Sequence, residues 1–176
     1  MEIKKFLIGL ACAIILFIIV FATHKDDVIW LLQSFSLWLN EHPLGPFLVF
    51  ILISITAFPP TPGYSTLVIF TGFVYGMKGW FIASSAAIFG ACSVFIITRK
   101  FKIGFTMDRN WMLIAKVIEK KGLWFVLLLR LAPSPFNLSN VIFAVTKVEF
   151  TTFAAATALS TIKLLMHIYL GMLLLI

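Results

Sequence analysis

The most constraining feature of this sequence is a pair of proline-rich breaks inside segments apolar enough to lie in a bilayer. The first break reads F-P-P-T-P-G-Y-S-T over Phe58–Thr66, and the second lies within L-R-L-A-P-S-P-F-N-L-S-N over Leu129–Asn140. Because proline lacks a backbone N–H and disfavours helix in the preceding residue, an apolar helix should end at each break. Broken backbone at membrane depth survives only where protein covers it or where it lines a wet cavity. The predicted break residues are Pro59, Pro60, Pro62, Gly63, Pro133 and Pro135.

The composition around the breaks is that of an integral membrane protein. Of the 176 residues, 61% are hydrophobic and only 12% are charged, whereas a soluble domain carries about 25% charged residues. The net charge of +7 is typical of cytoplasmic loops in a membrane protein, so we expect no nucleic-acid partner. The motifs CxxC, HExxH and GxSxG are absent from the sequence, and Cys12 and Cys92 lie in apolar runs, which predicts no metal site and no cofactor. Without carboxylates to hold a metal in the apolar runs, we expect no enzyme and no catalytic residues.

Residues 1–43 are predicted to form an N-terminal transmembrane anchor followed by an interfacial helix. The apolar run Phe6–Ala22 has about the minimum length of a membrane span and exceeds the usual apolar core of a signal peptide. A cleaved signal peptide is the alternative. The stretch Val28–Leu39 carries tryptophans that we expect at headgroup level.

Residues 44–176 show one order of segments twice: a short apolar run, a break, a second short run, a polar turn and a full-length span. The predicted ranges are a re-entrant hairpin at 45–77, a span at 80–98, a basic cytosolic loop at 99–121, a second re-entrant hairpin at 122–147 and a span at 150–175. The alternative to each hairpin is one kinked spanning helix. Because a re-entrant hairpin does not cross the membrane and one span separates the two, the hairpins would enter from opposite sides. Transporters with inverted repeats and binding sites near the membrane midplane have this arrangement. The sequence therefore predicts an all-α integral membrane protein with an inverted repeat of two re-entrant hairpins, each followed by a transmembrane helix, plus the N-terminal span.

Two predicted helix faces indicate how the spans pack. Ala83, Ala87 and Ala91 recur every four residues, a spacing of small residues that lets another helix approach closely. In the last span, small and polar residues fall within an arc of about 80°, which predicts that this stripe faces the protein interior. The stripe consists of Thr152, Ala156, Ser160, Lys163 and His167.

A lipid-headgroup site is predicted where the second half of each hairpin begins, around Ser65–Thr66 and Ser139–Asn140. The helix N-termini there direct free N–H groups and partial positive charge inward, which suits an anion. The predicted headgroup-binding residues are Ser65, Thr66, Arg130, Asn137, Asn140, Lys163 and His167. Because no acidic residue lies in the apolar runs, the cluster is cationic and suits a phosphate-bearing headgroup.

Three alternatives stay open for the charged residues of this cluster. Arg130 could be a structural clamp on carbonyls freed by the prolines, and Lys163 could extend to the membrane interface. His167 could be a core histidine with satisfied hydrogen bonds. Tyr64 and Thr66 are expected to line the cavity only because of their position.

The segments Phe58–Trp80 and Arg130–Asn140 resemble the paired hairpins of the DedA or VTT-domain superfamily, also called SNARE-associated Golgi proteins. Lys163–Gly171, reading K-L-L-M-H-I-Y-L-G, is similar to the closing helix of the fungal Golgi branch, the Tlg-vesicle-protein type. The resemblance covers about Leu44–Gly171. It implies paired re-entrant loops, residence in Golgi or other endomembranes, a link to vesicle traffic and, for several relatives, movement of phospholipids between leaflets.

Two departures from the bacterial relatives bear on mechanism. Those relatives carry acidic residues in the first hairpin and a second arginine after the proline of the second, whereas Phe58–Thr66 has no carboxylate and Pro133–Asn137 no arginine. Because His167 is the only obvious proton carrier, passive lipid equilibration is favoured over proton-coupled pumping. The alternative function is a non-transporting scaffold that contacts vesicle-traffic proteins through Arg99–Lys121.

Overall fold

The computed structural model describes residues 25–101, 122–132 and 134–174, and every regular element in these ranges is helical. The α-helices are α1 Lys25–Glu41, α2 Gly45–Thr56, α3 Tyr64–Tyr75, α4 Gly79–Lys100, α5 Gly122–Leu131, α6 Phe136–Val145, α7 Phe150–Ser160 and α8 Leu164–Leu173. Short 3-10 turns join α3 to α4 at Gly76–Lys78 and α7 to α8 at Thr161–Lys163. The predictions for the N-terminal span, most of the basic loop and Pro133 lie outside the described residues.

Two helical stretches are long and apolar enough to cross a membrane, Tyr64–Lys100 and Phe150–Leu173. A third would be α1 with α2, if this pair, bent by 117°, forms one broken span. The first stretch turns at Gly76, whose φ of 58° and ψ of −144° are not helical, and α4 alone has 22 residues, enough to cross about 30 Å of hydrocarbon. The all-α membrane fold is therefore confirmed for the described residues. The re-entrant hairpins and their inverted orientation stay predictions.

The first hairpin consists of α2, the break and α3. Pro46 in the first turn of α2 suits a helix start, and α2 ends at Thr56, ahead of the prolines. Gly63 has a φ of 96°, a left-handed conformation that residues with a Cβ rarely adopt, and α3 begins directly after it. The predicted half-helices are confirmed to within two residues.

The second hairpin consists of α5, the break and α6. The α5 helix has the predicted bounds, Gly122–Leu131, but α6 begins at Phe136, about one turn earlier than predicted. Pro135 precedes it with a φ of −58°, and a proline is well tolerated there because its missing N–H has no partner at a helix start. Asn140 consequently lies inside α6 and not at its N-terminus.

Glycines let the helices approach each other closely. A Cβ on Gly171 would lie 1.9 Å from the Ile69 carbonyl oxygen, and one on Gly72 would lie 2.3 Å from that of Ile168, so α3 and α8 meet backbone to backbone. The predicted small-residue face of α4 is confirmed, because Ala83, Ala87 and Ala91 are all buried. The polar stripe of the last span is also turned inward, since none of its five residues is exposed.

Arg99, at the end of α4, holds the C-terminal end of α6. Its Nε donates to the Ala144 carbonyl at 3.1 Å and its Nη2 to the Thr146 carbonyl at 2.9 Å, with a further bond to the Val148 carbonyl. Its guanidinium also lies 4.1 Å from the centre of the Phe95 ring. A cation is favourable beside the unpaired carbonyls of a helix end. Arg99 therefore docks the second hairpin onto α4.

Candidate functional site

The two breaks contact each other directly. Asn137 Nδ2 donates to the Thr61 carbonyl at 2.7 Å, and Asn140 Nδ2 donates to the Ala57 carbonyl at 3.0 Å. The tips are further joined by an aromatic pair. The rings of Tyr64 and Phe136, the first residues of α3 and α6, stack with centroids 4.1 Å apart and planes 14° apart. Segments more than 70 residues apart in sequence thus form one region.

A cleft of about 670 Å³ opens beside the joined breaks. Its lining comprises residues 61–66, residues 131, 132 and 134–137, and residues 163, 164, 166 and 167. The predicted site residues that it brings together are Ser65, Thr66, Asn137, Lys163 and His167. Arg130 and Asn140 do not line it, because both side chains are buried, at 1% and 0% exposure.

Four polar or aromatic lining residues had not been predicted as site residues, namely Thr61, Tyr64, Ser134 and Phe136. Each lies in a break or begins the helix after it. Tyr64 was expected to line the cavity only because it lies directly after the first break. Thr61, Ser134 and Phe136 share this position in or directly after a break, which is the signal that could have found them.

Helix N-termini and a lysine give the cleft its positive character. The α3 and α6 helices both begin at the cleft, and neither N-cap residue, Gly63 or Pro135, has a capping side-chain hydrogen bond. In the first turn of α6, the Leu138 N–H donates to Oδ1 of Asn137 at 2.8 Å, and the other first N–H groups are left for a ligand. The first N–H groups of an α-helix have no intrahelical partner and suit an anion. Lys163 adds a full positive charge, and no aspartate or glutamate is among the described residues that line the cleft.

Lys163 performs the clamping role that was considered for Arg130. Its Nζ donates to the carbonyl oxygen of Arg130, in the last turn of α5, where carbonyls have no intrahelical partner and attract a cation. The ammonium group therefore binds protein backbone, a contact that extension to the membrane interface does not explain. His167 lies one turn further along, with Nδ1 3.4 Å from the Lys163 carbonyl oxygen.

The guanidinium of Arg130 lies in a cage of three phenylalanine rings. Its Cζ is 4.6 Å from the ring centre of Phe153, 5.2 Å from that of Phe136 and 5.3 Å from that of Phe143. None of its nitrogens has a hydrogen-bond partner in the part of the chain that the structure describes. Each cation–π contact contributes about 0.5–2 kcal/mol, while burying an ion costs several kcal/mol. The rings offset part of that cost, and the five N–H donors stay available for an anion.

The described residues contain no group of three side chains that would hold a metal ion. The lining of the cleft combines one lysine and two helix N-termini with apolar edges. Together with the membrane-length helices, this defines a multi-pass membrane protein whose broken helices meet at a cationic cleft.

The comparisons with known proteins identify the family. The VTT domain model matches residues 58–173, and the chain belongs to the VTT domain family. Golgi apparatus membrane protein TVP38 of Coprinopsis cinerea is 36% identical over 132 residues, which are 70% of this chain and 45% of that protein. The protein of the same name from Vanderwaltozyma polyspora is 34% identical over 143 residues, 76% of this chain and 44% of that protein.

A third relative, Golgi apparatus membrane protein tvp38 of Sclerotinia sclerotiorum, is 29% identical over 164 residues, 89% of this chain and 42% of that protein. The chain thus spans less than half the length of these relatives. No solved structure matches it. The resemblance of the sequence to the VTT-domain superfamily is confirmed. The chain is a multi-pass Golgi membrane protein.

Proposed function

We propose that this protein equilibrates phospholipids, or other lipids with phosphate-bearing headgroups, between the two leaflets of a Golgi membrane in support of vesicle traffic. The observation that carries the proposal is the cationic cleft at the point where two broken helices meet. Its lining combines Lys163 with the N-termini of α3 and α6, whose N-cap residues make no capping side-chain bond. Phosphate oxygens are the ligands that such N–H groups and an ammonium bind best.

The edges of the cleft suit the rest of a lipid molecule. Leu131 and Met166 line the cleft and are 44% and 71% exposed, so the apolar rim is continuous with the outer surface. Ser65 and Thr66 are exposed at the start of α3 and offer hydroxyl donors. A headgroup can bind the polar interior while its acyl chains stay against apolar side chains and the bilayer.

The packing of the helices supports an inverted repeat as the framework for this movement. The second half of the first hairpin, α3, packs against α8, and the second half of the second hairpin, α6, packs against α4. Each hairpin thus packs against the span that follows the other one, and the first hairpin also packs against its own span, α4, through both α2 and α3. Reciprocal packing of this kind lets one half of the protein move against the other, as in transporters built from inverted repeats.

The test is transbilayer movement of a fluorescent phospholipid in liposomes that contain the full chain. We expect rapid movement with the wild type, at least tenfold slower movement with Lys163→Gln, and none with Arg130→Ala. The matched control is Lys147→Gln, because Lys147 is an exposed lysine on the turn between α6 and α7, outside the cleft. It should move lipid at the wild-type rate. Folded wild-type protein that moves no lipid would contradict the proposal.

The scaffold alternative rests on the basic loop, of which residues 102–121 lie outside the described residues. Within the described part, Arg99 binds carbonyls of its own chain. A test of the alternative should therefore neutralise Lys116, Lys120 and Lys121 while keeping Arg99. Normal traffic with the neutralised loop would leave transport as the function.

A further inference from the structure

The ring of Phe136 lies between the cleft and the guanidinium of Arg130. Phe136 lines the cleft, and its ring centre is 5.2 Å from the Arg130 Cζ. Tyr64 also lines the cleft and stacks on Phe136 at 4.1 Å. The stacked pair therefore stands between the open cleft and a guanidinium that is 1% exposed.

We propose that the Tyr64–Phe136 pair is a gate, and that Arg130 behind it is a second, deeper binding site for the phosphate of a lipid headgroup. The inference rests on the proposed lipid transport and adds two features to it. The phosphate binds first at Lys163 in the open cleft and reaches Arg130 only when the two rings separate. The structure described above is the closed state.

The chemistry of Arg130 points to an anion that the protein itself does not provide. A guanidinium presents its donors in a planar fork that matches two oxygens of a phosphate, and here no nitrogen of the fork has a partner among the described residues. The helices α2 to α8 contain no aspartate or glutamate. An unpaired charge at such a position in a membrane protein indicates a functional site, and the phosphate of a bound headgroup would supply a counter-charge.

The small void beside the stacked Tyr64 and Phe136 rings is consistent with a closed gate. A void of about 10 Å³ is lined by Tyr64 and Phe136 together with Lys163 and the hydroxyl-bearing residues Thr157 and Ser160. That volume holds about one water molecule at most, so a phosphate cannot enter while the rings stay stacked.

The position of the rings explains how the gate opens. Tyr64 and Phe136 each begin the helix that follows a break, so the pair belongs to the contact between the two hairpin tips. Separating the tips also breaks the bonds from Asn137 to the Thr61 carbonyl and from Asn140 to the Ala57 carbonyl. Movement of one hairpin against the other would thus unstack the rings, and Arg130 becomes exposed once the Phe136 ring, which belongs to the same hairpin, also turns away from the guanidinium.

The test is equilibrium binding to the purified full chain in detergent, with dihexanoylphosphatidic acid as the lipid probe and inorganic phosphate as the free ion. Because a closed gate reduces apparent affinity by the fraction of open protein, Phe136→Ala should bind the lipid probe at least tenfold more tightly than the wild type. Tyr64→Ala removes the other ring and should show a similar gain. Phe89→Ala is the matched control, since Phe89 is 58% exposed and does not line the cleft, and it should show none.

A double variant identifies the site that the gate controls. The gain of Phe136→Ala should disappear in Phe136→Ala combined with Arg130→Gln, because the deep site is then lost. A gain that persists in the double variant would overturn the proposal, as would the absence of any gain in folded Phe136→Ala and Tyr64→Ala. An equal gain for inorganic phosphate would assign the deep site to the free ion and overturn the lipid headgroup as its ligand.

Lipid movement measured on the same variants separates this inference from the proposed function. An Arg130-dependent gain in binding without any lipid movement would keep the gate and remove the transport proposal. Lipid movement without an Arg130-dependent gain would remove the gate and keep the transport proposal.

Discussion

The two hairpins have the same order of segments but opposite polar roles. In the first hairpin, the break contributes carbonyl oxygens, since those of Ala57 and Thr61 accept bonds from the other break. In the second, side chains contribute the donors, Asn137 and Asn140. The first hairpin carries no charged side chain, whereas the second carries Arg130.

The hairpins are also docked onto the spans by different means. The α3 helix meets α8 through glycines, backbone against backbone, whereas the end of α6 is held by the guanidinium of Arg99. One hairpin is therefore positioned by shape and the other by hydrogen bonds to a charged group. Substitutions should therefore act through steric overlap in the first and through lost donors in the second.

The largest effect is expected for Gly171→Leu, which breaks the docking of the first hairpin. A Cβ at this position overlaps the Ile69 carbonyl oxygen at 1.9 Å, and α3 cannot yield without moving its backbone. We expect a loss of about 3 kcal/mol in the free energy of unfolding, measured by circular dichroism of the detergent-solubilised protein. Leu170→Ala at the neighbouring, 49% exposed position is the control, and an equal loss there would contradict the steric explanation.

Arg99→Met should have the next largest effect, because it removes the donors that hold the second hairpin. Hydrogen bonds to charged groups contribute about 1.5–3 kcal/mol each in buried sites. Arg99 is exposed to solvent, which weakens these bonds, so we expect a total loss of about 2 kcal/mol, measured in the same unfolding experiment. Arg99→Lys should not restore it, because an ammonium lacks the planar fork. The control is Lys100→Met, and a similar loss there would show that charge alone matters.

Asn140→Leu tests the contact between the two breaks. The substitution leaves the buried Ala57 carbonyl without its partner, which should cost about 1–2 kcal/mol. Ser139→Ala is the control, since Ser139 bonds within its own helix, to the Phe136 carbonyl at 2.8 Å. Thermal unfolding of both variants measures the difference. Identical midpoints would mean that the breaks are not coupled through this bond.

Arg130→Met should have the smallest effect on stability, although we expect it to abolish lipid movement. The guanidinium has no hydrogen-bond partner among the described residues, and an apolar side chain in its place removes an unpaired buried charge. The unfolding midpoint should therefore stay unchanged or rise, whereas Lys163→Met should lose about 1 kcal/mol with its bond to the Arg130 carbonyl. A larger loss for Arg130→Met than for Lys163→Met would show that the guanidinium is structurally bonded.

The sequence predicted most of the helices because their causes are local. Prolines end α2 and separate α5 from α6, and Gly63 allows the turn before α3. The inward face of Ala83, Ala87 and Ala91 also follows from spacing alone. The start of α6 was predicted about one turn late, because the capacity of Pro135 to precede a helix was not used.

The roles of the charged residues could not be predicted, because their partners are distant in sequence. Lys163 and Arg130 are both predicted site residues, yet the structure gives the backbone clamp to Lys163 and leaves the guanidinium of Arg130 without a bond. Arg99 was assigned to a cytosolic loop, and its carbonyl partners lie 45 to 49 residues further along the chain. Local pattern carries no information on such pairs.

An all-helical membrane protein with two broken helical hairpins and a cationic stripe in its last span follows from the residues of each segment. These properties depend on the hydrophobicity of each segment and on the conformations that proline and glycine allow, and both act over a few residues. Three further features are visible only in the folded chain: the two breaks touch, three phenylalanines from α6 and α7 enclose Arg130, and Phe136 lies between Arg130 and the cleft. Those contacts depend on how separate helices pack, which is fixed by the fit of their surfaces and not by the residue types alone.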